Sequence, residues 1–307
     1  MWHHKGMDDD YLSVATNAQK PLGADAVSAK PVHWLANLTL DFSEKNGRSY
    51  LAKRQHNGPL VIQKTLYPEG DTLCHGIIIH PPGGVAGGDE LILNVNVQTN
   101  ACVLLTTPGA GKWYKANGAA ASQHLQFDLA EKSSLEWLPQ ENILFDGSIV
   151  NFSADINLGR EACYAGWEIL CFGRLAKGES WLTGKLNQKL MIKRADKIIW
   201  QESAHLHAND RFFHSAIGLG GNVVSASFVI AAGAVPTELF AKCQQLEIDN
   251  ASDSKAKFGV SALPEIFSAR YIGMSAQSAR HYFEGLWQIL RPWYASRSAA
   301  RPRIWNT

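Results

Sequence analysis

Glu168 stands in the run Cys163-Tyr164-Ala165-Gly166-Trp167-Glu168-Ile169-Leu170-Cys171-Phe172, where both faces of an extended chain would be apolar. Whichever way it points, its carboxylate faces protein. Such a group must be protonated, paired, or bound to a cation, because burying a lone charge is prohibitively costly. Glu136 in Leu135-Glu136-Trp137-Leu138 and Glu202 after Ile198-Ile199-Trp200 raise the same question. An arginine or a backbone amide would satisfy each of them without any function.

Other catalytic and nucleotide-binding motifs do not fit the spacing. Thr106-Thr107-Pro108-Gly109-Ala110-Gly111-Lys112 has the flavour of a phosphate-binding loop, but Thr106 occupies the place of the first glycine. Trp113 follows Lys112, where a magnesium-binding hydroxyl is needed. Gly218-Leu219-Gly220-Gly221-Asn222-Val223 lacks the last glycine of a dinucleotide fingerprint and is expected to be a turn. No G-x-S-x-G elbow or H-E-x-x-H helix occurs. His205 and His207 alternate along a candidate strand near His214, a metal site only if a further ligand arrives from elsewhere.

The elements that must position these groups are mostly strands. Leu91, Leu93, Val95 and Val97 alternate with polar or outward residues, as do Leu125, Phe127 and Leu129. Val150, Phe152, Ala154, Ile156 and Leu158 carry the longest alternation, and Leu186, Leu190 and Ile192 a further one, with Asn187, Lys189 and Lys193 facing away. Turn chemistry falls between them, at Asn57-Gly58-Pro59, Pro82-Gly83-Gly84, Gly87-Gly88-Asp89, Pro108-Gly109 and Asp146-Gly147. Many short strands with regular turns predict an all-β stack or sandwich. Helical spacing is confined to the C-terminal third. Ala279, Tyr282, Phe283, Leu286, Leu290 and Trp293 share one face, with Arg280, His281, Glu284 and Gln288 opposite; a shorter helix is expected over Thr237 to Leu246. Trp293 and Trp305 are expected in the core. No internal sequence repeat stands out.

Residues 1–32 combine Asp8-Asp9-Asp10 with Ala, Ser and Pro and no apolar period, so a loose extension is expected ahead of a β-rich domain over residues 33–307. At 307 residues, with 46% hydrophobic and 19% charged, the chain can bury a substantial core. A net charge of +1 provides no field to gather nucleic acid or anionic lipid. Five cysteines without a C-x-x-C pair, and no apolar run of membrane-spanning length, predict a reducing, cytoplasmic setting.

Five ordered motifs carry a family resemblance: Tyr67-Pro68-Glu69; His80-Pro81-Pro82-Gly83-Gly84-Val85-Ala86-Gly87-Gly88-Asp89; Thr106 to Lys112; Leu135-Glu136-Trp137-Leu138-Pro139-Gln140-Glu141; and Trp167-Glu168-Ile169-Leu170-Cys171-Phe172-Gly173-Arg174. With the chain end Pro302-Arg303-Ile304-Trp305-Asn306-Thr307, the sequence from about His33 onward resembles the urease accessory protein family UreD, also called UreH. The resemblance implies a mainly β protein, a β-helical stack of many short strands with two α-helices in the C-terminal third. It also implies a non-catalytic member of a nickel-delivery complex that binds apo-urease, UreF and the GTPase UreG, with no tightly bound cofactor and only transient Ni²⁺.

By motif position, the resemblance makes Asp89, Glu168 and Glu202 candidates for lining a nickel passage, with Glu69, His80, Glu136 and Asp146 behind them. Oxygen ligands suit such a role, since a thiolate cage would hold the ion too tightly to release it. Two departures from the family pattern are Gly111, where Thr or Ser is common, and Ala86, where a larger apolar residue is usual. Two other classes stay open: a protein that docks its partners without touching nickel, and a carbohydrate hydrolase using two carboxylates among Glu136, Glu141, Asp146 and Glu168.

Overall fold

The computed structural model describes residues 34–247 and 253–306. The extension expected over residues 1–32 lies outside them. The first strands are β1 (Leu35–Lys45), β2 (Arg48–Asn57), β3 (Val61–Ile62), β4 (Cys74–Ile79), β5 (Glu90–Val97) and β6 (Cys102–Thr106). They are followed by β7 (Gly111–Trp113), β8 (Ala121–Leu129), β9 (Ser134–Trp137), β10 (Asn142–Leu144), β11 (Ile149–Leu158) and β12 (Cys163–Arg174). The remainder are β13 (Glu179–Ser180), β14 (Lys185–Arg194), β15 (Lys197–His207), β16 (Val224–Ala231), β17 (Lys257–Ala262) and β18 (Ile266–Gly273), with helices α1 (Thr237–Gln244) and α2 (Ala276–Ala295).

The chain winds as a β-helical stack. One sheet has the order β15-β14-β11-β8-β5-β1-β2, in which β1, β5, β8, β11 and β14 run parallel and the two outermost strands pair antiparallel. The second follows β17-β18-β16-β12-β9-β6-β4-β3, parallel from β12 to β4. Short β7 and β10 add a third, narrow face beside the end of β12. Each coil thus passes from the first sheet to the second and back, so Leu93, Leu125, Ala154 and Leu190 occupy one position of successive coils. This structural repeat escaped the sequence because equivalent positions carry different residues: Leu91, Gln123, Phe152 and Gln188 also share a row.

Alternation explains the core. Leu38, Leu40, Phe42, Leu93, Val95, Phe127, Ile156 and Ile192 point inward between the sheets and are buried. Their neighbours Asn94, Asn96, Gln126, Asp128 and Asn157 point out and bond one another across strands, as in Asn96 Nδ2 to Asp41 Oδ1 at 2.7 Å and Asn157 Nδ2 to Asp128 Oδ1 at 2.7 Å. The coil corner at the glycine motif tolerates no side chain: a Cβ on Gly87 would lie 2.7 Å from Ala119 O, and Gly88 has φ +97°.

The outer face of the second sheet is covered by α2. Ser275 caps its N-terminus, its hydroxyl accepting from Ser278 N at 3.1 Å. The expected face, Ala279, Tyr282, Phe283, Leu286 and Leu290, packs with Trp167, Phe228 and Tyr271 into a second core. Each of its large members contributes roughly 1.5–3 kcal/mol by leaving water. Trp305 is buried here too, donating to Thr106 Oγ1 at 2.7 Å, and Trp293 packs on the rim. Glu284, expected to face away, is buried because the chain end returns and Arg301 Nε bonds it at 3.0 Å. Among the described residues no helix is long and apolar enough to cross a membrane.

Candidate functional site

A cavity of about 920 Å³ lies between the two sheets. Its lining comes from successive coils. Leu93, Leu125, Ala154 and Leu190 form one wall, and Gly166, Glu168 and Leu170 of β12 with Ser227 of β16 form the facing one. The cavity therefore runs along the axis of the stack, across strands rather than along them. From β5 to β15 it crosses four strand spacings, about 19 Å. His80, Gly83, Gly84 and the Thr107 to Lys112 loop stand toward one end; Glu202 and Arg270 stand toward the other.

Glu168 and Glu202 share this space. Glu168 projects inward from β12, held by a hydrogen bond from Gln188 Nε2 of β14 to its Oε2. Its side chain lines the cavity and is only partly exposed. Burial pushes its carboxyl up to about 7; the Gln188 bond opposes this, and the charge of Glu202 adds to it. Near neutral pH the group thus exchanges readily between carboxylic acid and carboxylate. Glu202 accepts from Trp200 Nε1 at 2.6 Å on Oε1, the oxygen that also pairs with Arg270 of β18.

Asp89 is placed differently. It does not line the cavity: its Oδ2 accepts from Ala86 N at 2.9 Å and its Oδ1 from Trp34 N at 3.3 Å, closing the glycine turn. It stands near His80, whose imidazolium is disfavoured by burial and only partly restored by the Asp89 charge. Asp146 likewise holds a loop, accepting from Leu182 N at 2.8 Å and Thr183 N at 2.7 Å.

Glu69 and Glu136 belong to a separate cluster beneath α2. Arg291, with no exposed surface, donates to Glu136 Oε2 at 2.7 Å and to Glu69 Oε2 at 2.6 Å. Glu136 also accepts from Trp287 Nε1 and Tyr294 Oη, each at 2.7 Å. Burial works against ionising Glu69, but hydrogen bonds from His75 and Arg291 and the guanidinium charge outweigh it and hold the carboxyl at about 2. Glu141 is paired with Arg280. Of the four acids considered for hydrolysis, only Glu168 lines the cavity. Among the described residues no group of three or more His, Cys, Asp or Glu converges as a metal cage; His205 instead bonds Asn187 Oδ1 at 3.0 Å on the outer face.

Sequence reasoning missed Gln123, Gln188 and Arg270. The signal was present for the first two. Both fall on the inward phase of strands otherwise apolar at that phase, Gln123 with Leu125 and Phe127, Gln188 with Leu186 and Leu190.

A β-helical stack of parallel coils with an axial cavity, two acids facing that space from opposite sheets, places the chain in the class of β-solenoid proteins. Comparison with known proteins gives the class its family. The family model described as UreD urease accessory protein matches residues 35–306. The Urease accessory protein UreD of Methylobacillus flagellatus is 57% identical over 274 residues, 89% of this chain and 95% of the relative. Those of Dechloromonas aromatica and Trichormus variabilis are 41% and 37% identical, covering 91% and 92% of this chain and 98% and 100% of the relatives. The chain belongs to the UreD family of urease accessory proteins.

Proposed function

We propose that this protein is a non-catalytic, cytoplasmic component of urease maturation, which binds apo-urease together with UreF and UreG and lends Ni²⁺ a protected route toward the urease active site. The observation that carries the proposal is the placement of Glu168 and Glu202 on opposing walls of one axial cavity. Carboxylate, amide and hydroxyl oxygens hold a divalent ion loosely enough to pass it on, whereas thiolates would retain it. Glu168 can give up its proton when the ion arrives and regain it when the ion leaves. Gln188 orients that carboxyl. Asp89 contributes by holding the glycine turn at the far end, beside His80.

The test is deletion of the gene in a urease-positive cell. The expected result is urease that assembles but lacks nickel; unchanged nickel content would remove the proposal. Replacing Glu168 and Glu202 together by glutamine then separates passage from docking. Full metallation by that variant would leave a docking role alone.

A further inference from the structure

We propose that Arg270 is a displaceable gate, its guanidinium closing one end of the cavity by pairing with Glu202 until a divalent cation takes its place. The inference rests on the nickel-passage reading above and adds a moving part to it.

Arg270 and Glu202 belong to different sheets. Arg270 is on β18 of the second sheet, in the row Glu168-Ser227-Arg270 that faces the cavity; Glu202 is on β15, the edge strand of the first. Their ion pair therefore spans the gap between the sheets where the stack ends. Both residues line the cavity, and the side chain of Arg270 is 51% exposed against 22% for Glu202. The arginine thus sits on the solvent side of the acid.

The two halves of this pair differ in freedom. Glu202 is fixed from below by Trp200 Nε1 at 2.6 Å, and Trp200 packs against the core. Among the described residues Glu202 is the one ion-pair partner of Arg270. Two other arginines of this fold are, by contrast, anchored many times over. Arg291 has no exposed surface and reaches two glutamates and Ser298 O; Arg194 reaches Glu265 and four backbone carbonyls. A half-exposed single pair is weak and rehydrates cheaply when it opens, so Arg270 is the part that moves.

Charge gives the gate its direction. With Arg270 in place, Glu202 is neutralised and an approaching cation is repelled. Once the arginine swings into solvent, Glu202 and Glu168 face the ion together. A doubly charged ion replaces a singly charged one at the same oxygen, and its departure lets the arginine close again. Arg270 in this way keeps the carboxylates from holding the ion permanently.

The purified full chain tests this by Ni²⁺ equilibrium dialysis or calorimetry, with circular dichroism melts alongside. Arg270→Gln is expected to bind Ni²⁺ about two- to fivefold tighter than the unaltered chain, the worth of one freed, half-exposed ion pair. Adding Glu202→Gln should abolish that gain, and Arg270→Lys should stay near the unaltered affinity. Unchanged or weaker Ni²⁺ binding in Arg270→Gln, while Glu202→Gln weakens it, would overturn the gate and leave the passage standing. A lowered melting temperature with unchanged Ni²⁺ affinity would make Arg270 a structural tie and would equally overturn the proposal. If Glu168→Gln and Glu202→Gln also leave Ni²⁺ binding unaltered, the passage falls with the gate.

Discussion

Arg291 grips Glu136 from 155 residues away, its Nε reaching both carboxylate oxygens at 3.1 Å and its Nη2 reaching Oε2 at 2.7 Å. The contact ties α2 to β9 and, through Glu69, to the segment before β4. Arg291→Ala would leave two buried acids without their cation. Loss of about 3–5 kcal/mol of stability is expected, read as a lower urea midpoint. Joint replacement of Arg291 and Glu136 by Met and Leu should cost less, since no buried charge is then orphaned at β9. A double variant as unstable as the single one would show that packing, not charge, dominates there.

Glu168 makes stability depend on pH in the direction opposite to an ordinary paired acid. Its folded value of about 7 lies above the ordinary 4.5, so the folded state holds more protons than the unfolded chain between those values. Stability should then fall as pH rises from about 4.5 to about 7. Glu168→Gln removes the penalty, and a melting temperature higher by about 2–4 °C is expected at pH 8, with no difference below pH 4. A uniform shift at all pH values would mean the acid is not the cause.

Glu69 carries the usual sign. Its carboxyl is held at about 2 against an ordinary 4.5, so the stability it contributes is present above 4.5 and is lost as pH falls toward 2. Glu69→Gln should flatten acid unfolding over that window while lowering stability at pH 7. Acid titration followed by circular dichroism checks both halves.

At the glycine corner, Gly87→Ala would bring a methyl to 2.7 Å from Ala119 O and 3.0 Å from Ala116 Cα. Both neighbours are backbone and cannot yield as a flexible side chain can. Destabilisation of about 1–3 kcal/mol is expected. Gly109→Ala, with no atom within 4 Å of the new carbon, is the control and should be close to neutral.

Within the maturation complex, Glu168→Gln with Glu202→Gln should leave co-purification with urease and its partners intact while urease nickel falls at least severalfold. Metal analysis of the purified urease provides the measurement. Loss of co-purification would place these residues in assembly instead.

What the amino-acid sequence determined by itself was local. Alternation from Val150 to Leu158 dictates a strand with one buried face, helical spacing from Ala279 to Leu290 dictates α2, and the glycines around Gly87 dictate a tight corner, because each depends on a few neighbouring side chains. The apolar run around Glu168 even announced an enclosed acid. Which cation or acid it would meet was decided only by tertiary structure. Strand order across the coils sent Glu136 and Glu69 to Arg291 in the core, and sent Glu202 and Glu168 to a shared cavity with Arg270 at its edge. A buried charge must find a partner, but the partner's identity is a long-range matter of register, and no local pattern in the chain encodes it.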